Sequence, residues 1–144
     1  MKMKIVLALL LSAGLQAAEP EITVFKTKTC GCCGKWVEHV RASGFKVTVK
    51  EVASTAEYQK QYGVPERLQS CHTAIVGGYT IEGHVPAADI QRLLKERPKA
   101  KGLAVPGMPA GSPGMEGARS DAYSVVQFDA AGAASVYRTY PHNK

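Results

Sequence analysis

The chain has 144 residues, enough for one domain with its own core and too few for two. Its 18 Lys and Arg exceed its 12 Asp and Glu, yet the basic residues are scattered apart from a cluster over residues 92–101, which is the pattern of a solvated helix end. A single Trp and no interleaving of aromatic with basic residues speak against a nucleic-acid-binding protein.

The first segment, MKMKIVLALLLSAGLQAAEP, carries Lys2 and Lys4, an apolar run from Ile5 to Leu11, and small residues at Ala17 and Ala18. That is the layout of a secretory signal peptide over residues 1–18. The run is too short to span a bilayer and no later segment comes close, so no membrane span is expected. Removal of the signal leaves 16 basic and 12 acidic side chains, a net charge of +4. The mature protein is expected to be soluble and exported, and the short start with its compact apolar region points to a bacterial periplasm.

Glu21 to Phe25 alternates polar and apolar residues and predicts a strand. The stretch TKTCGCCGKW follows it. Trp36, Val37 and Val40 then recur at helical spacing from Gly34 to about Ser43, and Gly44 ends that helix. Lys46 to Lys50 alternates again, a second strand expected to run parallel to the first because the helix supplies the crossover. Ser54-Thr55-Ala56-Glu57 matches a capping box before a short helix that ends near Tyr62. Thr73–Val76 and Tyr79–Glu82 flank Gly77-Gly78, a hairpin signature. Pro86 opens a further helix with Ala87, Ile90, Leu93 and Leu94 on its inner face. The resulting order, β-α-β-α-β-β-α over residues 19–98, fits several small α/β folds, and the CxxC near a βαβ unit points among them to a thioredoxin-like domain.

Composition changes after Pro98. GLAVPGMPAGSPGMEG, residues 102–117, holds five Gly and three Pro in 16 residues, too many for a regular helix or strand. Flexible linkers rarely carry Leu103, Val105, Met108 and Met115, so the segment is expected to wrap on the domain as an ordered loop. Tyr123–Phe128 and Ser135–Arg138 predict a closing strand pair. Residues 99–144 thus form a C-terminal extension packed on the same domain.

Four cysteines remain in the mature chain, Cys30, Cys32, Cys33 and Cys71. Three lie within four positions, where disulfide staples close almost no loop and remove little unfolded-state entropy. A chemical role is therefore expected for them. Cys30 sits where a strand gives way to a helix, and the unpaired amides and aligned peptide dipoles there favour thiolate. Lys28 and Lys35 add positive charge. Cys71 precedes the Thr73 strand, in the loop that a thioredoxin-like domain turns toward its redox cysteines and usually furnishes with a cis-proline. Leu68 to Thr73 contains no proline; it offers a fourth thiol and an imidazole.

Soft thiolates suit Cu(I) and zinc. A closed zinc site formed from Cys30, Cys33, Cys71 and His72 would leave Cys32 unused and give no purpose to methionine. Met108 and Met115 are thioethers, which favour Cu(I). Three adjacent thiolates diverge too much for one ion but can bridge several, so the expected site is multinuclear copper. His72 is a candidate ligand if the backbone is irregular there, since neighbours on a strand point to opposite faces. His39 lies two helical turns past Cys32, about 10 Å along the axis, near enough to cover a larger site. His84 ends the hairpin and can approach the pocket. Each of these histidines and methionines has an ordinary alternative in packing or capping. Trp36 is expected in the core or as a lid over the site, and Glu116 as a solvated carboxylate.

KTKTCGCCGKWVEHVRASGF, CHTAIVGGYTIEGHVP and GLAVPGMPAGSPGME, taken in order, resemble the CopG-type copper-resistance proteins of Gram-negative bacteria, and the resemblance runs from about Thr23 to Tyr140. It implies a periplasmic thioredoxin-like domain whose C-terminal extension helps bind metal, with a cysteine-bridged cluster of copper ions beside the CxCC motif. Carried over, the thiols are Cys30, Cys32, Cys33 and Cys71, with Met108 or Met115 from the extension. It also implies interconversion of Cu(I) and Cu(II) in copper resistance, with copper efflux components as partners. Two other functions fit the same residues: a copper chaperone or store without redox turnover, and a thiol–disulfide oxidoreductase using the Cys30–Cys33 spacing. Nothing in the sequence indicates an obligate dimer, and a monomer is expected.

Overall fold

A computed structural model describes residues 20–142; the expected signal peptide lies outside them. The elements follow in the order β1 (Glu21–Lys26), α1 (Gly31–Ala42), β2 (Lys46–Glu51), α2 (Ala56–Gln61), a 3-10 turn (Glu66–Leu68), β3 (Thr73–Val76), β4 (Tyr79–Glu82), α3 (Ala87–Glu96), β5 (Gly102–Ala104), β6 (Tyr123–Phe128) and β7 (Ala134–Tyr140). Among the described residues the seven strands form one sheet in the order β2-β1-β3-β4-β5-β6-β7. β1 and β2 are parallel across the α1 crossover, while β3 is antiparallel to both β1 and β4. This is the expected α/β fold, with its first four strands and three helices in thioredoxin-like sequence. No helix among the described residues is long and apolar enough to cross a membrane.

Side-chain alternation divides β1 between two layers. Ile22 and Val24 join Trp36, Val37 and Val40 of α1 and Ile90 and Leu93 of α3 in the main core. Phe25 takes the other face, where its ring stacks on Tyr58 of α2 with centroids 4.2 Å apart. A smaller apolar group of Val64, Leu68, Ala104 and Phe128 forms separately. The last strand is tied to α3 by a buried carboxylate: Tyr140 donates its hydroxyl hydrogen to Asp89 Oδ2 at 2.6 Å, and Arg138 lies 3.4 Å from Oδ1.

Several boundaries differ from the sequence reading. α1 begins at Gly31, three residues before the expected Gly34, because the extended backbone of Cys30 already serves as its N-cap and the Gly34 amide bonds the Cys30 carbonyl at 3.3 Å. Two cysteines therefore lie inside the first helical turn. The capping box at Ser54 forms only in part: Ser54 Oγ accepts the Ala56 amide at 3.2 Å, but Thr55 is the N-cap and makes no side-chain cap bond. β7 starts one residue earlier than expected and runs two residues further.

The larger correction is β5. The Gly/Pro-rich stretch was expected to hold no regular structure, yet its first three residues, Gly102–Ala104, pair in parallel with β4 and antiparallel with β6. Glycine permits this approach, since a Cβ on Gly102 would sit 1.8 Å from the Thr80 carbonyl oxygen. The strand thereby links the thioredoxin-like part to the closing hairpin. Gly102→Ala is expected to destabilise the protein by about 3 kcal/mol through this overpacking. Gly117→Ala, where an added Cβ meets nothing within 4 Å, should leave the urea unfolding midpoint nearly unchanged.

Candidate metal centre

The antiparallel register of β1 and β3 pairs Phe25 with Thr73. The chain leaving β1 toward α1 and the chain entering β3 through Cys71 therefore occupy the same end of the sheet. Their four cysteine sulfurs all lie within 4.8 Å of one another. Cys30, at the N-cap, and Cys33, one turn on, face each other across the start of α1 and are joined by a disulfide. Cys32 is a free thiol 3.6 Å from the Cys30 sulfur. Cys71 is also free, and the Cys33 sulfur lies 3.8 Å from its carbonyl oxygen. The helix start was expected to hold thiolates; two of the three clustered sulfurs form the covalent redox pair that their spacing allows.

Two imidazoles complete the inner side. His84 Nε2 lies 3.1 Å and His72 Nδ1 3.3 Å from the Cys71 sulfur, and the three donor atoms form a second close group. Strand alternation would turn His72 away from Cys71. The backbone there has not yet entered β3, so both side chains reach the same place. Both rings are fully buried, and the remaining nitrogens, His72 Nε2 and His84 Nδ1, have no hydrogen-bond partner. Burial pushes the His72 pKa down to about 3, aided by His84 and Lys26, and burial also lowers that of His84. Neutral imidazoles at ordinary pH keep a lone pair for a metal. The Cys71 thiol moves the other way: burial, reinforced by Cys32, raises its pKa to about 12, so it carries its proton in the metal-free protein.

The extension covers this end of the sheet. Met108 brings its sulfur to 3.7 Å from Cys32 Sγ and is itself half exposed. Met115 is half-buried, held by backbone bonds to Ser112 and Gly111. Gly114 packs directly on the cysteine turn, with a φ of +92° and a would-be Cβ 2.7 Å from the Cys32 carbonyl oxygen. Glu116 is exposed, as expected, and its carboxylate accepts the Gly114 amide at 2.9 Å. Desolvation opposes its charge, but bonds from its own and the Gly114 amide, with His39 and Lys35 nearby, outweigh that and lower its pKa.

His39 does not join the cluster. Its Nε2 accepts the Ala87 amide at 3.0 Å and so caps the start of α3. Trp36 is both core and lid: its indole N–H donates to the Val85 carbonyl at 2.8 Å while its ring lies 4.4 Å from that of His72.

A profile described as "Protein of unknown function, DUF411" matches residues 68–115, from the Cys71 loop to Met115. No curated protein matches the chain. Two solved structures do. "Copper resistance protein copG- Form 2" is 49% identical, with 85% of this chain and 99% of that chain covered and a TM-score of 0.81. "Copper resistance protein copG- Form 1" is 50% identical over the same shares, with a TM-score of 0.80.

The chain belongs to the CopG copper resistance protein family.

The donor set of this CopG-family chain suits a soft metal. Four sulfurs, a thioether at the rim and two buried imidazoles with unpartnered nitrogens are the ligand types that copper takes. Sequence reasoning missed the buried polar side chains behind Cys71, notably Gln59 and Glu82, because each stood at an ordinary polar position of its element. Gly114→Ala forces the loop away from the start of α1. Hydrogen exchange at the Gly111 and Met115 amides, which close that loop, should then accelerate by about tenfold or more.

Proposed function

We propose that this is a periplasmic copper-binding protein that holds a cysteine-bridged cluster of several copper ions and interconverts Cu(I) and Cu(II) in copper resistance. In this reading the signal peptide over residues 1–18 is removed on export. The thioredoxin-like part over residues 19–98 and the extension over residues 99–144 then act together as a monomer. The observation that carries the proposal is the convergence of four sulfurs from two distant segments within 4.8 Å. The relatives named as copper resistance proteins supply the choice of metal.

Cys30, Cys32, Cys33 and Cys71 are the proposed bridging thiolates, His72 and His84 the proposed imidazole ligands, and Met108 the thioether at the mouth. His39, engaged by the Ala87 amide, falls outside this set, and Met115 is the second proposed thioether. When bound, copper supplies one-electron redox chemistry. The chain supplies soft donors for Cu(I) and imidazoles acceptable to Cu(II), so electrons can pass without loss of metal. Copper efflux components are the proposed recipients.

The Cys30–Cys33 disulfide bears directly on loading. A dithiol reductant must deliver two electrons and two protons to turn it into two thiols, itself ending as a disulfide, before all four sulfurs can bind metal. Protein loaded anaerobically with Cu(I) after such reduction should retain two or more copper ions per chain after desalting, measured by elemental analysis. Unreduced protein should retain fewer, and Cys71→Ser should lose most of the complement. One ion or none in the reduced wild type rejects the multinuclear reading.

The same disulfide favours a second reading, a thiol–disulfide oxidoreductase for protein substrates. Rapid insulin reduction by the metal-free protein would support it. A copper store without redox turnover predicts instead that copper is released when the loaded protein is oxidised.

Proton competition sets the pH dependence. The Cys71 thiol, with its pKa raised to about 12, must give up its proton to bind metal. Affinity for Cu(I), measured by chelator competition, should therefore rise with pH, by up to about tenfold per unit for each proton displaced.

A further inference from the structure

Behind Cys71 lies a buried polar assembly that the metal ligands do not use. Glu82, at the end of β4, is fully buried. Its Oε1 accepts the Gln59 side-chain amide at 2.7 Å and the Ser70 backbone amide at 2.8 Å. Its Oε2 accepts the Thr73 hydroxyl at 2.7 Å. Gln59, on α2 and itself buried, also donates to the Ser70 carbonyl at 3.0 Å. Both backbone groups of Ser70 are thereby held. Its hydroxyl donates to the Gly107 carbonyl, next to Met108, and lies 3.8 Å from the Cys71 sulfur.

A loop that carries a ligand into a cluster must be fixed to within a fraction of an ångström. No cis peptide bond performs that task among the described residues. Nor does residue 71 belong to a strand, whose ladder would fix it. What brackets the loop is a carboxylate with three donors, drawn from α2, from the loop itself and from β3. A buried carboxylate is costly unless its oxygens are satisfied, and three bonds at 2.7 to 2.8 Å satisfy them. A purely structural filler at the end of β4 needs only an apolar side chain there.

We infer that Glu82 is a positioning residue for the metal centre, holding Cys71 through the Ser70 amide at the place where it meets the cysteine turn, and holding Met108 in register through the Ser70 hydroxyl. The inference rests on the metal-site reading above, but its first readout needs no metal. In unreduced full-length mature protein Cys32 and Cys71 are the free thiols, so the ratio of their alkylation rates by iodoacetamide, followed by mass spectrometry, reports on the Cys71 loop against an internal standard.

Glu82→Leu should raise the Cys71-to-Cys32 ratio by about tenfold, the effect expected when a buried bracket of hydrogen bonds is lost. Glu82→Gln keeps an oxygen for Ser70 and Gln59 and should remain within about twofold of wild type. Copper retained after reduction and loading should fall in Glu82→Leu and recover in Glu82→Gln. A general loss of stability also favours Cys71, whose thiol the fold protects more than that of Cys32, so the ratio in Glu82→Leu must exceed that in Gly102→Ala measured at a matched distance below each variant's urea midpoint. A folded Glu82→Leu protein with the wild-type ratio therefore overturns the inference. If that variant does not fold, Glu82→Asp decides: it keeps the charge but withdraws the carboxylate by one methylene from the Ser70 amide, and a wild-type ratio there overturns the inference equally. Wild-type protein that takes up no copper counts against the metal reading alone, and the thiol ratio still judges Glu82.

Discussion

Everything at this site depends on the pairing of Phe25 with Thr73. Once β1 and β3 run antiparallel in that register, the segment leaving one strand and the segment entering the other are neighbours at the same end of the sheet. Cys33 and Cys71, 38 positions apart, then come into contact. α1 starts at that end, so its first turn carries two cysteines into the meeting place and its N-cap carries a third. The β3–β4 hairpin returns His84 to the same place, and Glu82 at its base braces the arriving loop. The site is thus a product of strand register, with side-chain chemistry added at positions the register has already brought together.

Two uses of the same sulfurs compete there. Cys30 and Cys33 linked to each other are not available as thiolates, and thiolates bound to metal are not available for a disulfide. Cys32 and Cys71 stay free in the oxidised protein, one toward the exposed Met108 and the other against buried imidazoles. The oxidised molecule therefore keeps an outer and an inner soft donor on either side of a closed pair.

Much of this was legible in the sequence because it is written in local patterns. Alternation gave β1 and β2, the Gly77-Gly78 turn gave β3 and β4, and the proximity of Cys30, Cys32 and Cys33 advertised chemistry. The convergence of Cys71 on that triplet was legible through fold type, since the loop before β3 faces the first helix in such domains. The details that escaped depend on contacts across the sheet. β5 was hidden because a strand of three residues inside a Gly/Pro-rich stretch has no periodicity, and its glycine is needed for a backbone on another strand. The different fates of His39 and His84 followed from which polar atom each met, an amide of α3 or a thiol, and spacing alone holds no information on that. Met108 and Met115 were equivalent as residue types, and spacing alone could not place the Met108 sulfur against Cys32.

Trp36 is the chain's single tryptophan, and its ring is 4.4 Å from that of His72. The indole is fully buried and oriented by its bond to the Val85 carbonyl. Its emission therefore originates one aromatic ring away from the sulfur cluster, with no second indole to dilute it. The fold has built a fluorophore into the wall beside its own thiol cluster, and light from it is an intrinsic, label-free record of whatever occupies that cluster.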